Sequence, residues 1–285
     1  MDNCWLKAIG LFNPAIELVS IPYEGTTLRG FYFRGIGTGE RRPLLILNNG
    51  SDGSALDMWM MGAARGYDCL TFDGPGQGYA LWSQGLHFRP DWEKVITPVV
   101  DFALTLNGVD TKRIALQGIS QGGYWVPRAV AFEKRIAAAI ADPGVVDIST
   151  SWTASLPPPM IQMLKAGEKE QFDDFMDKAM PQQAKNELAF RMRPYGTTSY
   201  YEAFKAATDY NLTTVAAKIN CPVLITEPEN EAFWPGQSKQ LYNLLTSTKT
   251  LMPFLASEGA DLHCEPKAFG LRDLRVFDWL DETLG

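Results

Sequence analysis

Hydrophobic positions along the chain change their period several times, and each change marks a different element. Ile16, Leu18 and Ile21 are spaced apart by polar residues, as are Leu28, Phe31 and Phe33, with Glu24-Gly25 between the two runs. That pattern predicts an antiparallel hairpin. Leu44-Leu45-Ile46-Leu47 is continuous instead, as expected of a parallel strand covered on both faces. Further strands are predicted at Tyr67 to Phe72, in the run ending Ile114-Ala115-Leu116, at Ala137 to Ala141, at Asn220 to Thr226 and at Thr250 to Leu255. Helical spacing covers 5–12 (stopped by Asn13-Pro14), 56–65, 91–106, the run from Tyr124 to Phe132, 238–246 and 268–283. Residues 148–216 break the rhythm: they read as helix, are rich in Trp, Met and Phe, and offer no strand.

Strands alternating with helices imply the α/β class, with a mainly parallel central sheet and helices on both faces. The helical stretch falls between the sixth and seventh strands, where it reads as an inserted cap. The expected organisation is core over 1–147, cap over 148–216 and core again over 217–285. Loops after the strand carboxyl ends should carry function, and the glycine loops Asn48 to Gly53 and Asp73 to Gly78 both fall there.

Composition narrows the class. A chain of 285 residues, 46% hydrophobic, can bury one large core with a cap. Its net charge of -7, without a basic cluster interleaved with aromatics, argues against nucleic acid as a partner. Cys4, Cys69, Cys221 and Cys264 lie far apart, so neither a zinc site nor a disulfide framework is suggested. The first fourteen residues lack the apolar stretch of a signal peptide, and no run approaches membrane-spanning length. The expectation is a cytoplasmic protein with a small-molecule partner and no membrane contact.

The candidate chemistry centres on Gly118-Ile119-Ser120-Gln121-Gly122, lying between a strand and a helix. A turn this sharp strains the serine backbone and needs small neighbours, while the helix N-terminus favours developing negative charge. A serine hydroxyl needs a base, and the base an orienting acid. Of the two histidines, His263 follows the last strand, and the chain order nucleophile, acid, histidine is the α/β-hydrolase order. His87 reads as structural or facing the cap. Glu227, Glu229 and Glu231 are the acid candidates in the turn after Val223-Leu224-Ile225; Glu231 leads on its spacing to Trp234-Pro235, and Glu229 is second. For the oxyanion, Gln121 N–H is one expected donor, with Ser51 N–H the first choice and Asp52 N–H the second for the other. Asp52 could equally cap the next helix. The loop Asp73 to Gly78 lacks a following Lys-Ser/Thr and reads as pocket wall, not a phosphate cradle. Trp152, Leu156 and Met160, near the start of the cap, are expected to roof the serine, with Trp125, Phe233 and Trp234 continuing an apolar lining.

In order, the segments Ile21 to Leu28, Asn49 to Gly53, Asp73 to Gly78, Gly118 to Gly123, Lys218 to Leu224 and Glu258 to Cys264 resemble a branch of the α/β-hydrolases. That branch includes 2,6-dihydroxypseudooxynicotine hydrolase, fungal pigment hydrolases that shorten a heptaketide chain, and fermentation–respiration switch-type esterases. The resemblance implies hydrolysis through a serine, a histidine and an acid, without a metal or organic cofactor. Such relatives cleave esters or a carbon–carbon bond beside a ketone, so both stay open for a small apolar, aromatic or β-diketone-like substrate. Acyl transfer by the same residues and a non-catalytic receptor are the alternatives. Two departures stand out. Relatives commonly carry aspartate where Glu231 stands, and many have a helical N-terminal domain of which only the stretch Trp5 to Phe12 remains here. In a complete chain the pocket would then be more open, or covered by a second copy in a homodimer.

Overall fold

The computed structural model describes residues 2–13, 15–36, 41–55 and 60–285. In chain order the elements are α1 (Asp2–Ile9), β1 (Glu17–Tyr23), β2 (Thr26–Phe33), β3 (Arg42–Asn48), α2 (Met60–Ala64), β4 (Asp68–Phe72), α3 (Gly78–Gln84) and α4 (Glu93–Ala103). They continue with β5 (Val109–Ile119), α5 (Gly122–Val130) and β6 (Ala138–Asp142). Five helices then follow without a strand: α6 (Ser149–Thr153), α7 (Pro158–Ala166), α8 (Lys169–Ala179), α9 (Gln182–Met192) and α10 (Tyr200–Ala207). The chain returns to the sheet through β7 (Val223–Pro228), α11 (Gln237–Leu244), β8 (Lys249–Phe254) and α12 (Phe269–Leu284).

The eight strands form one sheet in the order β1-β2-β4-β3-β5-β6-β7-β8. β2 runs antiparallel to β1 and β4, and every other neighbouring pair is parallel. This is the α/β-hydrolase fold expected from the sequence. Its continuous apolar runs are explained by strand geometry, since alternate side chains leave opposite faces. Leu44 and Ile46 of β3, Ile114 and Leu116 of β5, and Val223 and Ile225 of β7 enter one hydrophobic layer with α4, α5 and the helices between β6 and β7. Leu45, Leu47, Ala115 and Leu224 enter a second layer against Ile9 of α1 and Val276, Phe277 and Leu280 of α12.

The front hairpin is present in the expected register, Ile21 facing Leu28. α1 stops at Ile9, short of the expected residue 12, and Leu11 is exposed beyond it. β5 begins five residues earlier than its apolar run; its first turn of sequence, Asp110 to Arg113, is polar and reads as loop. α3 starts at the last residue of the glycine loop and covers a stretch to which the sequence reading assigns no element, because a seven-residue helix opening on Gly78 carries too little periodic signal. Of the helix expected over 56–65, Met60–Ala64 is described; its start, like Pro14, lies outside the described residues. Among the described residues no helix is long and apolar enough to cross a membrane.

What matters for the site is the common end of the parallel strands. β3 closes on Asn48, β5 on Ile119, β6 on Asp142 and β7 on Pro228. The segments that follow them, together with the loop after β8, meet above that edge.

Candidate active site

Ser120 sits in the left-handed region, at φ 57, between β5 and α5. Side chains rarely adopt this conformation, at a cost on the order of 1–3 kcal/mol, so neighbouring atoms must hold it. Its N–H donates to Asp142 O at 2.6 Å and its carbonyl accepts from Gly123 N–H at 2.8 Å. The fit leaves no room at the flanking glycine: a Cβ on Gly118 would stand 2.2 Å from the Gly122 carbonyl oxygen. From the β3 side Gly50 closes in, and a Cβ there would stand 2.8 Å from Ser120 Cβ. The loops after β3 and β5 are thereby packed backbone against side chain.

His263 Nε2 lies 2.9 Å from Ser120 Oγ, and His263 Nδ1 lies 2.7 Å from Glu231 Oε2. With Nδ1 carrying its proton toward the carboxylate, Nε2 is left to accept from the serine hydroxyl. Glu231 Oε1 accepts the N–H groups of Phe233 at 2.8 Å and Trp234 at 3.1 Å, which fixes the carboxylate in its turn. Burial alone would raise the Glu231 pKa; the bond from His263 and the two backbone donors outweigh it and hold the carboxyl below its ordinary value. The acid turn is tied to the histidine loop a second time, because Asn230 N–H donates to Asp261 O at 2.8 Å and its side-chain amide donates to Asp261 Oδ2 at 2.7 Å.

The other two glutamates of the turn face elsewhere. Glu229 Oε2 accepts Ala256 N–H at 2.7 Å, beside β8, and Glu227 lies 3.7 Å from the Lys239 amine. His87 packs under the returning cap chain, where a Cβ on Gly196 would stand 2.8 Å from its ring, and it does not line the cavity over Ser120. Cys264 is buried, its thiol lies 3.5 Å from Asp142 O, and burial pushes its pKa well up. An unreactive thiol is the physical consequence.

A cavity of about 300 Å³ opens over Ser120. Ser51, Asp52, Gln121, Trp152, Phe233 and Trp234 line it, as the sequence leads one to expect. Three expected lining residues do not, and the structure corrects them. Trp125 is fully buried one layer down, stacked on Trp92 at 4.2 Å, with Phe88 (5.1 Å away) standing between it and the cavity. Met160 is buried in the cap's own apolar contacts, and Leu156 packs partly buried against the same layer. Met160 lies within α7 and Leu156 in the link between α6 and α7, and apolar packing takes both.

The wall contains residues that sequence reasoning passed over. Phe88 and Tyr195 meet edge to face at 5.3 Å, one from the core and one from the cap, and Phe88 N–H donates to Pro194 O at 2.7 Å. Arg191 lies over the Trp152 ring and Arg193 over the Trp82 ring, at 4.9 and 4.5 Å, all four lining the cavity. No carboxylate among the described residues pairs with either arginine. Gln77 is the hidden support. Its amide donates to Asn49 O at 2.8 Å and Gly50 O at 2.6 Å, while its Oε1 accepts Gly74 N–H at 3.1 Å. A glutamine between two glycines is the signal the sequence carried, and the structure buries it to 1% exposure. The Asp73 to Gly78 loop is thus wall and scaffold: Asp73 accepts Ala55 and Tyr79 N–H groups, and Gly76 and Gly78 line the cavity. Neither Ser51 N–H nor Gln121 N–H donates to another described residue. The expected start of the helix that Asp52 could cap lies outside the described residues.

Comparison with known proteins agrees with the fold. The profile of the prolyl oligopeptidase family matches residues 63–195. Hydrolase ORFZ of Pyricularia oryzae is 30% identical over 310 residues, an alignment covering 98% of this chain and 72% of that protein. The chain belongs to the α/β-hydrolase family. A further member, α/β-hydrolase psoB of Aspergillus fumigatus, is 28% identical over 318 residues, covering 98% of this chain and 71% of its own length. Among solved structures, 2,6-dihydroxy-pseudo-oxynicotine hydrolase superposes with a TM-score of 0.77 at 21% identity, over 99% of this chain and 72% of that one. For this α/β-hydrolase the loop scaffold yields a stability prediction. Gln77→Ala removes donors from one buried and one part-buried carbonyl and should cost about 1–3 kcal/mol in urea unfolding, against little change for Gln183→Ala on the exposed face of α9.

Proposed function

We propose that this α/β-hydrolase is a serine hydrolase acting on a small apolar or aromatic ester, or on a β-diketone-like substrate. The observation that carries the reading is the unbroken hydrogen-bonded line from Ser120 through His263 to Glu231. Ser120 Oγ attacks the substrate carbonyl while His263 Nε2 takes its proton, and Glu231 stabilises the imidazolium that forms. The oxyanion then develops beside the uncommitted N–H groups of Gln121 and Ser51. Expulsion of an alcohol, or of the enolate of a ketone fragment, takes the proton back from His263. Water resolves the acyl-enzyme by the same relay. Apart from substrate and water, these steps use only groups of the chain.

A fluorophosphonate probe tests this directly. It should label the wild type and fail to label Ser120→Ala; an unlabelled wild type would mean that the fold serves as a receptor. His263→Ala should fold and lose turnover. If a supplied alcohol or amine increases product over hydrolysis, the reading becomes acyl transfer.

The same geometry supports Glu231 as the acid, and Glu229 makes a paired control. Glu231→Gln should lower kcat by about 10²–10⁴, as loss of an orienting carboxylate does elsewhere. Glu229→Gln should stay within a few-fold, and the reverse ranking would move the acid by two positions.

Arg191 and Arg193, unpaired by carboxylates among the described residues and placed over tryptophans of the cavity wall, favour substrates with an acidic group, such as an enolised β-diketone or a carboxylate. In the double variant Arg191→Gln/Arg193→Gln, the ratio of kcat/KM for a carboxylated p-nitrophenyl ester to that for its neutral analogue should fall about tenfold, equal to roughly 1.4 kcal/mol. An unchanged ratio would leave the arginines as surface residues.

A further inference from the structure

Directly beneath the site lies a charge imbalance that the proposed chemistry does not use. Asp142, at the end of β6, and Glu265, two residues past His263, are both fully buried, with carboxyl groups facing one another. Thr226 Oγ1 donates to Asp142 Oδ1 at 2.8 Å. No donor among the described residues reaches Asp142 Oδ2 or either oxygen of Glu265. The cation of the cluster is Arg272 of α12, whose Nη1 lies 3.7 Å from Asp142 Oδ2. That guanidinium is shared with Asp273, bound to it at 2.8 Å. His263 lines the cavity above, the Glu231 charge adds a lesser push on Glu265, and Cys264 is a buried thiol whose pKa is pushed well up. Among the described residues one cation thus serves three carboxyls, two of them fully buried.

Two facing carboxylates in that setting cannot both ionise, because neither solvent nor a second cation offsets the repulsion. A single proton between them changes the account. It supplies the missing donor, leaves one carboxylate for Arg272, and forms a short charge-assisted bond across the gap. The bond would join two loops of the site. Asp142 O accepts the Ser120 N–H, and Glu265 ends the turn that carries His263, where Cys264 and Glu265 are both left-handed at φ 58 and φ 49. Two consecutive strained non-glycine residues need outside restraint. Among the described residues, the restraints are two backbone bonds of the turn, Glu265 N–H to Leu262 O and Ala268 N–H to Glu265 O, at 2.9 Å each, with Arg272 Nη1 3.4 Å from Cys264 O and the Cys264 thiol on Asp142 O.

We propose that Glu265 carries a proton that it donates to Asp142, and that this neutral-acid bridge is the clamp holding the His263 loop against the Ser120 turn. Glu265 is a positioning residue: it acts through the loop and touches no substrate. Burial, first, and then the Asp142 charge push its pKa up to about 10. The folded chain therefore keeps a proton that the unfolded chain releases near the ordinary carboxylate range. The stability from this group is full at low pH and is lost as pH rises from that range through about 10.

The test starts on the wild-type protein in deuterated buffer at pH 8. Infrared spectroscopy should show the C=O stretch of a neutral carboxyl, absent in Glu265→Gln and fading in wild type toward pH 11. The glutamine keeps a donor to Asp142 without a titrating proton, so its melting temperature relative to wild type should climb between pH 6 and pH 10. Wild-type kcat should decline over the alkaline part of that range, and Glu265→Gln should remove the decline; Glu265→Leu should lower kcat at every pH with little change in KM. A missing neutral-carboxyl band in wild type, or a melting difference independent of pH, overturns the proposal, and the wild-type spectrum decides even if the variants fail to fold. The kinetic readout rests on the serine hydrolase reading. If wild type turns nothing over, that reading fails, while the infrared and melting results still judge the bridge.

Discussion

Ser120 is held where a side-chain-bearing residue is least comfortable, and much of the nearby architecture follows from having to keep it there. The left-handed turn is stable only because Gly118 and Gly50 let backbone approach to within van der Waals contact, and because the Asp142 carbonyl receives the Ser120 N–H. Those three contacts come from β5, β3 and β6. A parallel sheet delivers their ends side by side, so the strain is shared by the most rigid part of the molecule. The hydroxyl consequently stands at a fixed place relative to two backbone N–H groups that have no other described partner.

The base and acid arrive differently. His263 and Glu231 sit on loops at the β7 and β8 edge, and these loops are fastened to one another more than to the sheet: Asn230 binds Asp261 twice, and the Glu231 carboxylate bridges its own turn to the imidazole. The cap is anchored to the same side. Gln237, at the start of α11, accepts the N–H groups of Val146 and Asp147 and donates to Asp147 O and Thr150 Oγ1. One buried amide therefore sets where the cap leaves the core, a few residues from where Glu231 is set. Cap position and acid position are mechanically related through α11.

Strand identity was readable from the sequence because two-sided burial leaves a strong trace: a run such as Leu44 to Leu47 has few other uses. The glycine loops and the serine turn were readable for a related reason, since steric closeness admits only one residue type. Glu231 could be ranked above Glu229 from its spacing to Trp234-Pro235, yet what separates them is which carboxylate its turn releases toward the imidazole, and that depends on Ala256, far along the chain. The roof was the least legible part. Trp152, Leu156 and Met160 are alike in apolarity, and only the crossing of the cap helices decides that the first faces the cavity while the third is enclosed. Trp125 misled for a similar reason: adjacency to the serine turn says nothing about Phe88, which arrives from thirty-odd residues upstream to cover it.

Phe233 divides its labour between backbone and side chain in a way that bears on how such a pocket can diversify. Its N–H steadies the Glu231 carboxylate, whereas its ring, half exposed and 4.6 Å from the His263 ring, forms part of the cavity wall. The amide is common to every residue except proline, but the ring is not. Selection can therefore reshape the chamber at this position, swapping bulk or polarity, without disturbing the support beneath the carboxylate. Tolerance to drift and retention of the relay are reconciled in a single residue.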